Sequence, residues 1–328
     1  MESREQKESR MHIITSCDDG LAPYVTVGMT ALGIAMKKTP VTFYLFHTRV
    51  SQKNIEMLQA LSEEFENLDF REIRVPEPER YDALARYGGG WHGEAYYALC
   101  AHQLLPETVH RAMYLDAGDT LVVGDIRPYY NYNFQDKALV VTGVKYKDVN
   151  GSLELYTSDD LGNRDELPGI LWGLFNSGSY VINLDRMRQD GFTMNDYEYL
   201  CQVLQKMCGE NTERIYLGDQ GLLSVAFAGN LRYYAYPRVK SANYMPYNFC
   251  LWHFGRMKEK PEYQPAVIHF AGTEFKPWEG SYPVFLERFQ QQGKLRSLHG
   301  LKLGQAEYFY MWHEYAMLAD RMLTRIGW

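Results

Sequence analysis

At 328 residues and 46% apolar composition the chain can bury a sizeable core, and it fits one large α/β domain or such a domain with a smaller appendage. A formal net charge of -7 with no dense Lys/Arg run excludes tracking along a nucleic-acid backbone, while single nucleotides stay open as ligands. Five cysteines at scattered spacings, with no C-x-x-C pair, exclude a disulfide framework or zinc site and point to buried thiols in a reducing cytoplasm.

Residues 1–10, "MESREQKESR", form a charged leader without an apolar h-region, expected to be disordered and neither a signal peptide nor an anchor. No stretch of ~18 apolar residues suggests a membrane span. "MHIITS" (11–16) reads as a buried strand and 21–38 as a helix with Pro23 near its first turn, the two joined by "CDDG". "VTFYLFH" (41–47) is a second strand. Ser51 is placed to cap a helix whose Ile55, Leu58, Leu61 and Phe65 fall at helical spacing, and "LDFREIRV" follows as a third strand. A loop rich in glycine and aromatics, "RYGGGWHGEAYY", leads to a helix ending near Leu105. This β-α-β-α-β order predicts a mainly parallel sheet covered on both faces, with ligands at the carboxyl ends of its strands.

"AMYLDAGDTLVVGDI" (112–126) runs from an apolar strand straight into Asp116 and Asp119. A carboxylate at a buried strand end costs several kcal/mol unless a cation compensates it, and two such groups can grip a divalent ion that bridges a diphosphate. The other reading of a D-x-x-D pair is a capping or turn role. Further on, the sequence predicts strands at 137–144, 177–184 and in "LRYYAYP", and helices near 194–208 and 219–228. Between them lies a polar excursion, "YKDVNGSLELYTSDDLGNRDELPG", long enough for a lid or substrate loop. From about 282 the chain reads as helical.

Six segments in order carry a family resemblance: "IITSCDDG", "LLP" before "YLDAGDTLVVGDI", "LFNSGSYVINLDRMR", "YLGDQGLLS", "NYMPYNF" and "VIHFAGTEFKPW". Together they resemble the family 8 glycosyltransferases, which include glycogenin and bacterial lipo-oligosaccharide galactosyltransferases, over roughly residues 11–280. The resemblance implies a GT-A-type α/β fold, with a catalytic domain over 11–281 and a helical extension over 282–328. It also implies a retaining transfer of glucose or galactose from a UDP-sugar to a glycan, glycolipid or glycoprotein.

By the same resemblance Asp116, Asp119 and His269 are ligands of Mn²⁺ or Mg²⁺, and neutral imidazole suits manganese. The family writes D-x-D where this chain has "DAGD". Gly118 is then an extra residue whose φ/ψ freedom lets Asp119 swing back, or else Asp119 is structural and Asp116 the sole carboxylate ligand. Lys276 is implied on the diphosphate, at a His269–Lys276 spacing one residue longer than usual, Ser16 and Asp18 on the uridine, and Gly272 among the cofactor-binding residues. Asp18 also suits a helix N-cap. Gly20 and Leu99 stand where the family often has polar donor contacts. Asn176 and Ser177 are implied facing the donor sugar and acceptor, and Asp219 and Gln220 beside the anomeric carbon. Gln220 is a poor nucleophile, which favours front-face transfer.

A catalytically silent sugar-nucleotide-binding or scaffold protein of the same fold is the alternative, motivated by "DAGD", Leu99 and the long His269–Lys276 spacing. A Rossmann dehydrogenase is poorly supported, since "TSCDDGLAP" has a single glycine. The expected location is the cytoplasm, peripheral to the inner membrane face if the last helix docks there. In that helix Phe309, Trp312, Ala316, Ala319, Leu323 and Ile326 form an apolar stripe widened by Tyr308, Tyr310, Met311, Tyr315, Leu318 and Met322. Three covers are open for it: a membrane surface, a second subunit, or the chain's own catalytic domain.

Overall fold

The computed structural model describes residues 10–142, 175–208, 215–234, 247–250, 265–271, 276–280, 284, 287 and 304–328. The leader up to residue 9 and the polar excursion after Val144 lie outside the described residues.

β1 (Met11–Ser16), β2 (Val41–His47) and β3 (Leu68–Arg74) are parallel, linked by the helices Ala22–Ala35 and Gln52–Glu63. Pro23 starts the first helix, where its missing N–H costs nothing. Ser51 caps the second by accepting from Asn54 N at 3.4 Å. The stretch expected to be a helix ending near Leu105 is instead a 3₁₀ segment, Gly93–Cys100, running into the short helix Ala101–Leu104. Tyr96, Tyr97 and Leu99 of that segment are buried, so tertiary packing, rather than α propensity, sets its form. β4 (Arg111–Leu115) pairs parallel with β1.

The chain then changes sheets. β5 (Thr120–Val122) leaves the main sheet, and β6 (Leu139–Val141) and β7 (Ser179–Asn183) re-enter it, with β8 (Leu231–Tyr233) at the far edge. The main sheet has strand order β3-β2-β1-β4-β7-β6-β8, parallel except where β7 meets β4 and β6. A second sheet, β5-β10-β9, is formed with β9 (Phe249–Cys250) and β10 (Val267–His269). Apolar side chains fill both faces of the main sheet, which fits strands read as near-continuous apolar runs.

The last helix, Gly304–Arg325, lies on the helix Ala22–Ala35 and reaches the helix Gln52–Glu63. Phe309 and Trp312 are buried against Val27, Ala31, Leu121 and Phe270, Ala319 is buried as well, and Arg325 pairs with Glu64. The chain's own domain therefore covers the inner part of the stripe. Among the described large apolar side chains of the helix, Tyr310, Met317 and Leu318 stay exposed on an outer face. No helix among the described residues is long and apolar enough to cross a membrane. Cys17, Cys100 and Cys201 are buried free thiols.

Candidate active site

Asp116 and Asp119 occupy the connection in which the chain passes from the main sheet into the smaller one. Asp116 N donates to Gly178 O at 3.1 Å, and Thr120 Oγ1 returns a bond to Asp116 O at 2.7 Å. Gly118 takes φ +74°, a left-handed conformation that L side chains rarely adopt, and so turns Asp119 back toward Asp116. β10 pairs antiparallel with β5 in a register that sets His269 opposite Thr120, and Phe270 N donates to Asp119 O at 2.8 Å. A residue 150 positions downstream of Asp119 is thus delivered to both carboxylates by sheet register.

His269 Nε2 lies 3.3 Å from Asp116 Oδ2 and 3.9 Å from Asp119 Oδ2, and the three ligand-type atoms lie within 4.8 Å of one another. On the other side of the ring, Nδ1 is 3.0 Å from both Asn176 Oδ1 and Asn248 Oδ1. Two acceptors facing Nδ1 hold a proton there, so Nε2, which faces the carboxylates, is the nitrogen that a metal ion would take. Gly178 makes room for the ring: a Cβ at that position would stand 2.1 Å from His269 Cε1.

Asp119 is buried, and Lys276 Nζ donates to its Oδ2 and, at 3.3 Å, to Phe270 O. Burial opposes the Lys276 ammonium, but Asp119 and, more weakly, Asp116 outweigh it and raise its pKa. The other oxygen, Asp119 Oδ1, is buried and has no hydrogen-bond partner among the described residues. A carboxylate oxygen with no described partner, beside an imidazole nitrogen and a second carboxylate, fits a divalent cation with mixed O/N ligands.

A second cluster adjoins the first. Gly218, at φ +53°, opens the helix Gly218–Ala226 and places Asp219 and Gln220 in its first turn. Asp219 is 7% exposed and accepts from Ser177 Oγ at 3.1 Å. Burial, then the nearby Asp116 charge, pushes its pKa up to about 8. Gln220 Oε1 accepts from Asn176 Nδ2 at 3.1 Å and Ser177 N at 3.3 Å. Asn176 thus bridges Gln220 to His269 and joins the two clusters.

The implied nucleotide contacts are more scattered. Ser16 is buried at the end of β1, its Oγ 3.2 Å from Tyr114 Oη, on the sheet edge that carries Asp116. Asp18 is exposed and accepts from Leu21 N at 2.8 Å; Leu21 itself is the N-cap of the first helix, so Asp18 closes the turn before the helix and does not cap it. None of the described contacts joins it to Asp116. Leu99 is buried in the core, and Gly272 lies outside the described residues. The structure adds two residues to which the sequence assigned no role: Asn248 and Gly178. The segments "NYMPYNF" and "FNSG" marked their neighbourhoods, but only the fold brings them to one imidazole.

Residues 12–281 match the sequence profile described as glycosyl transferase family 8. No curated protein matches. Among solved structures, an active-site mutant of LgtC is similar at 18% identity and a TM-score of 0.61, with 93% of this chain and 95% of that chain covered. The galactosyltransferase LgtC in complex with donor and acceptor sugar analogs is similar at 20% identity and a TM-score of 0.59, over 86% of this chain and 94% of that one. Mouse xyloside xylosyltransferase 1 is similar at 16% identity and a TM-score of 0.52, over 79% and 97%.

Proposed function

Given that the chain belongs to glycosyl transferase family 8 and is a glycosyltransferase of GT-A fold, we propose that it moves a hexose, glucose or galactose, from a UDP-sugar to a glycan, glycolipid or glycoprotein with retention of configuration. One observation carries the reading: Asp116, Asp119 and His269 converge, with an imidazole proton held on Nδ1 and Asp119 Oδ1 left without a hydrogen-bond partner among the described residues.

In this reading Asp116, Asp119 and His269 hold Mn²⁺ or Mg²⁺, which supplies positive charge to the diphosphate. Lys276 adds an ammonium on the leaving-group side, and Gly272 belongs to the cofactor-binding residues by the family resemblance alone. Ser16 and Asp18 line the uridine end. Asp219, whose pKa burial pushes up to about 8 in the metal-free protein, stands beside the anomeric carbon. The Gln220 carbonyl already accepts two N–H bonds, which weakens it further as a nucleophile and leaves it as a fixed dipole for an oxocarbenium-like centre. Asn176 holds that amide in place. The acceptor hydroxyl attacks the donor carbon on the face that UDP leaves, the bond to the β-phosphate oxygen breaks, and that phosphate takes the hydroxyl proton. Residues 11–281 serve as the catalytic domain and 282–328 as its extension, in the cytoplasm. Any membrane or dimer contact of the last helix would use Tyr310, Met317 and Leu318 on its outer face.

Calorimetry of UDP binding tests the proposal: affinity should collapse in EDTA and in Asp116→Ala. Unchanged affinity in both would remove the metal role. Proton NMR of the first-formed glycoside should show an α linkage and a slower rate in Gln220→Ala, and a β linkage would refute retention. UDP binding without hydrolysis or transfer of any UDP-sugar would favour a silent binding module.

A further inference from the structure

The turn between Asp116 and Asp119 is held by more than its own domain. Trp312, in the third turn of the last helix, is buried and its Nε1–H donates to Gly118 O at 3.0 Å. Gly118 is the pivot of the turn, and the backbone groups on either side have separate anchors: Asp116 on Gly178 and Thr120, Asp119 on Phe270. The indole is the donor that satisfies the carbonyl between them. An aromatic floor supports it. Tyr24 and Trp278 stack at 4.8 Å, Trp312 tilts against both at 6.3 and 6.2 Å, and a Cβ at Gly118 would stand 3.1 Å from Tyr24 Cβ and 3.3 Å from the Trp278 ring.

We propose that Trp312 is a positioning residue of the metal site, its indole N–H fixing the Gly118 peptide so that Asp119 is aimed at Asp116 and His269. The inference rests on the metal reading of those three residues. Without the donor a buried carbonyl is left unsatisfied, and the turn gains by rotating Gly118 O toward water, which carries the Asp119 side chain out of the cluster. Residues that orient ligands in this way set metal affinity by roughly 10- to 100-fold. Coupling is reciprocal: if the docked helix tightens the site, an ion in the site must tighten the docking of the helix by the same factor.

The test is titration of the full chain with Mn²⁺ alone, free ion being read by electron paramagnetic resonance. Trp312→Phe keeps an aromatic ring and loses the N–H. It should bind Mn²⁺ about tenfold more weakly. Leu323→Ala, which loosens the same helix away from the turn, should lower the melting temperature and leave Mn²⁺ affinity unchanged. Equal affinity in wild type and Trp312→Phe, with Asp116→Ala still impaired, overturns the role of Trp312 and spares the metal reading. Equal affinity in wild type and Asp116→Ala overturns both. Should Trp312→Phe fail to fold, hydrogen exchange on the wild type decides: Mn²⁺ should slow the amides of 309–319, and no change overturns the proposal.

Discussion

Asp219 shows how one side chain's surroundings set its chemistry. It is buried beside Asp116, and its pKa in the folded protein, about 8, stands above the ordinary 3.8. Folding therefore takes up a proton between about pH 4 and pH 8, and the metal-free protein should lose stability as pH rises through that window. Asp219→Asn copies the protonated form and should flatten the decline. Thermal melts in EDTA across that range check it, and parallel slopes for the two proteins would mean that Asp219 is ionised when folded. Gly178 makes the opposite case, a residue whose value is its missing Cβ. Gly178→Ala would drive a methyl into the His269 ring, so Mn²⁺ binding should fall by roughly 10-fold or more, read by the same titration.

Among the elements, the connection from β4 to β5 and the last helix do most to place the site. A strand that stayed in the main sheet would bring Asp119 beside β7 and leave His269 far away. Crossing to the smaller sheet pairs β5 with β10 instead. The last helix is a wall of the same region, since Phe309 packs edge-on against Phe270, the residue after His269, at 5.3 Å. Phe309→Ala should cost about 3–5 kcal/mol in denaturant-unfolding measurements, as for other buried aromatics. An unchanged unfolding midpoint would mean that the helix is a detachable docking arm.

For the molecule as a whole, a ligand that binds only the folded state adds stability by mass action. UDP with Mn²⁺ at 100 times its Kd should add about 2.7 kcal/mol, a rise of several degrees in melting temperature that EDTA removes. A shift that survives EDTA would show that nucleotide binding is independent of the ion. The same experiment, run across UDP-glucose and UDP-galactose, addresses the donor hexose.

The sequence alone determined the α/β class, the mainly parallel sheet and most element positions, because the 2- and 3.6-residue periodicities of burial are local. β1 and β2 stand at the expected residues, and the helix at Gln52–Glu63 follows the capping Ser51. It also marked Asp116, Asp119 and His269, since a carboxylate at a strand end is a local anomaly and the ordered motifs resembled those of a family. What only the tertiary structure decided is how these groups meet. That His269 faces both carboxylates follows from the β5–β10 register, and the proton on its Nδ1 from Asn176 and Asn248, which lie 72 residues apart. The cover of the last helix was undecidable from its apolar stripe, because amphipathicity specifies that a face must be buried and not against what. Trp312 read as one more apolar residue. Its N–H acquires a partner only when the chain folds back to set it 3.0 Å from a carbonyl 194 residues earlier.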